Sequence, residues 1–167
     1  MKFRQERLGQ GALRRLLQLL ALYGPGADSL RPRLHRWRGV KIGHRTFIGT
    51  AVLIETAHPQ LVAIGKGCDI GTRTTIIAHQ QGEAVTDEPT VRIGDDVFVG
   101  PCSTLLPHVK IGDGAVVVAG SVVTKSVPAG VMVQGNPAAP VARCGVPLGR
   151  STPMREFYRA LTPLGRR

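Results

Sequence analysis

Aromatic side chains are scarce in this 167-residue chain: one Trp, two Tyr and four Phe, 4% of the total. Acidic residues are also few, 11 against 22 Lys and Arg, which leaves a net charge of +11. A basic nucleic-acid binder is one reading of that charge, but no recognisable nucleic-acid motif accompanies it and rings for base stacking are lacking. Cysteine is limited to Cys68, Cys102 and Cys144, an odd number without CxxC spacing. Reduced thiols in a cytoplasm are the simplest expectation, with Cys68 as core. No apolar run reaches 18 residues, so no membrane-spanning helix is predicted. Residues 1–7 lack an apolar core followed by a small-residue cleavage site, and no secretory leader is expected. The length fits one domain with short flanking pieces.

What is present is a beat of six. Ile42, Ile48 and Ile54 open successive hexads, then Ile64, Ile70 and Ile76. After an interruption the beat resumes at Ile93, Val99, Leu105, Ile111, Val117 and Val123. Gly usually follows the opener, and a small or β-branched residue usually sits four places after it, as at Thr46, Cys68, Ser103 and Ser121. Hexapeptide periodicity marks a parallel β-helix, an all-β solenoid. Each hexad supplies a short strand and a corner, and three hexads make a triangular coil. Four coils are predicted, opening at Ile42, Ile64, Ile93 and Ile111. The glycines are expected to relieve the corners by adopting positive φ. Coils stack at strand spacing, about 4.8 Å, so equivalent residues of successive coils lie above one another.

The run Ile111 to Lys125, with its Ala119-Gly120-Ser121 segment, and the exit Val133-Gln134-Gly135-Asn136-Pro137-Ala138 closely resemble the terminal coil of the hexapeptide-repeat acyltransferases. The resemblance extends over residues 40–141. It implies a left-handed parallel β-helix, a homotrimer with sites between subunits, and acetyl-CoA as co-substrate without a metal. The closest likeness, including Arg38-Gly39-Val40-Lys41-Ile42-Gly43, is to polysaccharide-type sugar O-acetyltransferases.

Around this domain the charge is uneven. Residues 1–45 hold eleven Lys/Arg and two acids, residues 46–142 five and eight, and residues 143–167 six and one. Residues 1–39 read as an amphipathic helix and a basic linker. Leu13, Leu16, Leu17 and Leu20 fall at helical spacing, with Arg14, Arg15 and Gln18 on the other side. Two readings stand for this helix: a cap on the open solenoid end, or a basic helix of residues 1–23 resting on an anionic membrane. Residues 81–92 break the beat and read as an inserted, substrate-facing loop. After residue 130, residues 131–142 are expected to run extended back along the prism. Residues 142–167 form an extension in which 152–161 are predicted helical, with Pro153 in the first turn.

His79 is the catalytic candidate. It follows Ile76-Ile77-Ala78 at a corner, just ahead of the loop, and histidine titrates near working pH. In the resembled family a histidine on a coil edge is the general base. His108 falls one coil later on the same corner, where related sequences carry something smaller. It is a candidate to tune His79 or contact substrate, or an exposed corner residue. Glu55 and His58 lie one coil below; either suits an acceptor hydroxyl, and Glu55 suits orienting a histidine. For the donor, the resemblance points to Ala119, Gly120 and Ser121 along the pantetheine arm, Thr124 and Lys125 at the phosphates, and Asn136 at the nucleotide end. The expected reaction is acetyl transfer to a sugar hydroxyl, as in a surface-polysaccharide precursor. Alternatives are amino-sugar N-acetylation, a non-catalytic coil, and a zinc-binding coil built on the histidines.

Overall fold

The computed structural model describes residues 8–82, 86 and 88–165. Residues 1–7 of the predicted helix and part of the inserted loop therefore lie outside the described residues. Helix α1 (Leu8–Tyr23) and helix α2 (Leu30–Arg38) come first. Twelve short strands follow: β1 (Lys41–Ile42), β2 (Phe47–Ile48), β3 (Leu53–Ile54), β4 (Val62–Ile64), β5 (Asp69–Ile70), β6 (Thr75–Ile76), β7 (Val91–Ile93), β8 (Phe98–Val99), β9 (Thr104–Leu105), β10 (Lys110–Ile111), β11 (Val116–Val117) and β12 (Val122–Val123). Every third strand pairs in parallel, giving the orders β1-β4-β7-β10 and β3-β6-β9-β12, while β2, β5, β8 and β11 form part of a third sheet. Register is equally regular: Ile48 lies beside Ile70, Ile70 beside Val99, and Val99 beside Val117.

The hexad positions explain this packing. The openers Ile48, Ile54, Ile70, Ile76, Val99, Leu105, Ile111, Val117 and Val123 are buried, as are the small residues four places on. Polar residues at the small positions bond inside the prism. The Thr46 hydroxyl donates to Gly65 O at 2.7 Å and the Cys68 thiol to Gly94 O at 2.9 Å. Burial pushes the Cys68 thiol up to about 12, so it is an inert core group.

The glycine expectation needs correction. Gly43, Gly49, Gly65, Gly71, Gly94, Gly100 and Gly112 are absent from the residues with positive φ. They are required because the next coil passes too close: a Cβ on Gly100 would stand 2.3 Å from Ala119 N. Positive φ falls two residues later, at Arg45, Ala51, Gly67, Arg73, Asp96, Cys102 and Gly114, and at the equivalent positions His108 and Gly120, which follow Leu106 and Val118.

At the N-terminal end the first coil presents carbonyls with no preceding strand to bond them. The basic stretch before it, expected as a linker, is helix α2, and its arginines are aimed at those oxygens. Arg36 donates to Ile42 O and Gly43 O at 3.0 and 2.8 Å. The Arg38 guanidinium, 1% exposed, donates to Ile54 O at 3.1 Å and to Glu55 O at 2.6 Å. From α1, Gln18 Nε2 reaches Val52 O at 3.4 Å. The helices therefore do cover the solenoid end. The face of α1 that does so is the opposite of the one its leucines suggest. Gly11, Gln18 and Ala21 are buried, whereas Leu13, Leu16 and Leu20 are more than half exposed. Covering a row of carbonyls calls for an amide donor and small residues for close approach, which leucine does not supply.

The far end also differs from expectation. Strand β13 (Val131–Gly135) continues the stack on β11, and β14 (Ala138–Cys144) returns antiparallel to it through a cis Asn136–Pro137 bond. Helix α3 spans Met154–Arg159, with Pro153 at its N-cap, and β15 (Leu161–Pro163) pairs with β14. Arg150 reaches back to the N-terminal end, donating to Asp28 at 3.2 Å and lying 5.3 Å from the centre of the Phe47 ring.

Candidate active site

Of the three corners, the one after β3, β6, β9 and β12 is unlike the others. Its residues following the opener are Glu55, Ile77, Leu106 and Thr124, with no glycine at any level. In its first two levels the usual positive-φ residue is missing as well, since Ala57 and His79 do not adopt that conformation. A short 3-10 turn (Pro59–Leu61) follows at the first level and the inserted loop at the second. The loop closes earlier than the expected residue 92, because Val91 and Arg92 belong to β7. The Thr90 hydroxyl donates to Ala78 O and ties the returning chain to the residue before His79.

Room created at this corner is filled by Glu55. Its carboxylate is 2% exposed and accepts four hydrogen bonds. Oε1 takes Ala57 N–H at 2.9 Å and His58 N–H at 3.2 Å; Oε2 takes Ala78 N–H at 3.0 Å and His79 Nδ1 at 2.8 Å. Burial alone would raise the carboxyl pKa, but the bonds from His79, Ala78, His58 and Ala57 outweigh it and hold Glu55 below the usual range. An ionised carboxylate only accepts, so His79 Nδ1 must be the donor. The proton is thereby fixed on Nδ1, and Nε2 of neutral His79 carries the free lone pair. About a third of the His79 side chain, 34%, is exposed. The His58 ring stands edge-on to it, with centroids 5.0 Å apart and planes at 89°.

The structure thus brings Glu55, His58 and His79 together. His108 is exposed, at φ 62°, one level on from His79 along the same corner. Thr124 and Lys125 are exposed at the level beyond. Ala119 and Gly120 lie exposed at the preceding corner, where the space around Gly120 is open. Ser121 instead faces inward, and its Oγ accepts the Gly135 N–H at 3.2 Å. Asn136 is exposed in the turn between β13 and β14. A groove of about 530 Å³ also opens beside this end of the coil, flanked by Arg92, Lys110 and Asp113. No group of three or more metal-ligating side chains is assembled among the described residues.

Arg38 is the residue that sequence reasoning missed. Its guanidinium fixes the Glu55 carbonyl from below, and its Nη1 meets His35 Nδ1 at 3.0 Å. His35 is buried, and burial with the Arg38 and Arg31 charges lowers its pKa to about 3, so it is neutral and accepts from Arg38. Burial lowers Arg38 to about 10 against the opposing pull of Glu55, leaving it charged at neutral pH.

Comparisons with known proteins agree with this architecture. The bacterial transferase hexapeptide family (six repeats) matches residues 90–125. YvoF of Bacillus subtilis (strain 168), named as an acetyltransferase, is 43% identical over 98 residues, 59% of this chain and 57% of that protein. The chain therefore spans little more than half of that relative. A hexapeptide-repeat acetyltransferase of Vibrio cholerae O1 biovar eltor, solved with acetyl coenzyme A, superposes with a TM-score of 0.63 at 23% identity, covering 81% of this chain and 87% of that one. The polySia-specific acetyltransferase NeuO gives 0.53 at 26%, covering 67% and 55%. The repeat, the parallel stack and these relatives agree: the chain carries the bacterial transferase hexapeptide repeat over residues 90–125 and is similar to hexapeptide-repeat acetyltransferases in sequence and fold.

Proposed function

We propose that this protein transfers an acetyl group from acetyl-CoA to a hydroxyl, with a sugar or surface-polysaccharide precursor as acceptor. The observation that carries the reading is the Glu55–His79 pair: a buried carboxylate 2.8 Å from the inner nitrogen of a part-exposed histidine. His79 Nε2 removes the hydroxyl proton as the oxygen attacks the thioester carbonyl. The C–S bond then breaks, and the imidazolium returns its proton to the departing thiolate. Glu55 stabilises the imidazolium while it exists. General-base assistance of this kind contributes about 10²–10⁴ in rate.

The donor is assigned to the Ala119–Gly120 corner and to Thr124 and Lys125, with Asn136 at the nucleotide end. Ser121 supports the site from inside the coil and is not itself assigned a donor contact. His58 and His108 are assigned to the acceptor side. A homotrimer with sites between subunits fits the family, and a cytoplasmic location fits an acetyl-CoA-dependent reaction.

Two measurements test the reading. Calorimetric titration with acetyl-CoA is expected to show saturable micromolar binding, about one site per chain. A sugar-acceptor screen follows, with His79→Ala expected to bind acetyl-CoA normally and to transfer at least about 10²-fold more slowly. A folded protein with no affinity for acetyl-CoA would overturn the transferase reading, and turnover of amino sugars alone would change its acceptor to an amine.

A further inference from the structure

We infer that the outward face of α1 is a docking surface for an anionic lipid bilayer. Leu13, Leu16, Leu20 and Tyr23 recur at i, i+3, i+7 and i+10 on the side away from the solenoid, 51–76% exposed. Leu19 extends the same apolar surface at 62% exposure. A stripe this continuous is unusual on a surface meant only for water. The packed side of the helix is already occupied by the first coil, through the Gln18 bond to Val52 O and the Leu22 carbonyl that accepts the Ala51 N–H at 2.7 Å. The leucines therefore have no remaining partner to gain by turning inward.

Charge identifies the occupant. Residues 1–45 carry eleven Lys/Arg and two acids. Arg15, on the same helix as the stripe, and Arg33 on α2 are both exposed. Placing this face against the same face of a second copy would bring like charges together. An anionic headgroup layer instead complements them, at about 1 kcal/mol per basic residue near the surface. Tyr23 suits the headgroup level, with an apolar ring and a polar tip. No described helix is long and apolar enough to cross a membrane, and α1, at 16 residues, suits lying in the interface plane.

The test is independent of the chemistry at His79. The chain has a single tryptophan, Trp37, so Trp37→Phe/Leu20→Trp is a one-reporter protein. With vesicles of phosphatidylglycerol and phosphatidylcholine, the reporter emission is expected to shift to the blue and to be quenched by brominated acyl chains. Co-sedimentation of the unmodified chain should weaken at least about tenfold in pure phosphatidylcholine or in 0.5 M salt. Leu16→Glu/Leu20→Glu should abolish it while leaving the circular dichroism and the oligomeric state unchanged. Absence of binding to anionic vesicles would overturn the inference. So would a Leu16→Glu/Leu20→Glu variant that changes oligomeric state, since the face would then be a contact between copies of the chain.

Discussion

Replacing Glu55 by Gln is the most searching perturbation of the proposed site. The carboxylate serves four donors with two oxygens. Glutamine has one oxygen, so its NH₂ group must face either the Ala57 and His58 donors or those of Ala78 and His79. Either way, buried donors lose an acceptor at about 1–3 kcal/mol each. The chemical effect comes through the imidazolium formed during proton transfer. Opposite charges about 4 Å apart attract by about 4 kcal/mol at an effective dielectric of about 20. Losing that attraction should lower kcat/KM by up to about 10³-fold, since each 1.4 kcal/mol is tenfold. If the amide turns its NH₂ to His79, the ring must accept at Nδ1 and Nε2 is then protonated, removing the base altogether. The assay is kcat/KM against pH for the parent, Glu55→Gln and His79→Ala, with acetyl-CoA affinity as the control for folding. A folded Glu55→Gln protein within about threefold of the parent would refute the argument that the carboxylate sets the tautomer and stabilises the imidazolium.

Other outcomes follow from the same geometry. The unfolded chain protonates His35 near pH 6.5 and the folded chain only at about 3, so between those values the unfolded state binds more protons and stability falls as pH falls. His35→Gln, which keeps an oxygen for Arg38, should flatten that acid decline in thermal-unfolding midpoints; Glu55, held below its usual range, adds a further loss only below about pH 4.5. Arg38→Met strands the Ile54 and Glu55 carbonyls and should cost about 2–6 kcal/mol in denaturant unfolding, with reduced turnover at temperatures where it remains folded. Gly100→Ala drives a Cβ into the next coil and should cost at least about 3 kcal/mol, whereas Gly120→Ala meets open space and should cost only about 1–2 kcal/mol for its positive φ. His108→Gly preserves the left-handed backbone and should raise the acceptor KM by about 2–10-fold without loss of stability.

The six-residue period made the inward faces legible, because burial follows the openers directly and a solenoid repeats one local solution. The conformational role of glycine was not legible. Positive φ at Arg45, Arg73 and Asp96 leaves no mark in residue type, and the glycines report instead how near the next coil passes. The place of His79, at a corner just ahead of the loop, could be read from the beat. The pairing with Glu55 was only one of two roles that its spacing allowed, since a level-to-level contact depends on how that corner opens. A sharper signal was available in the openers' neighbours, Glu55, Ile77, Leu106 and Thr124, where glycine is missing at every level of one corner alone. The arginines of α2 carried no signal, because charge density reads equally as linker or cap until the carbonyls they meet are placed. The leucines of α1 marked an apolar face correctly but not the side on which it would lie.

A stack of parallel strands contains no internal reason to stop, because its last row of carbonyls is as good a template as any earlier one. In this chain the stop is written in arginine: Arg36 and Arg38 occupy the oxygens that another coil would need. The same guanidiniums bring positive charge to that end of the solenoid, so two molecules meeting end to end repel before they can register. The cap thus sets the length of the structure as well as its stability. A chain lacking residues 1–39 is accordingly expected to associate through its uncovered first coil, while β14 and β15 still close the other end.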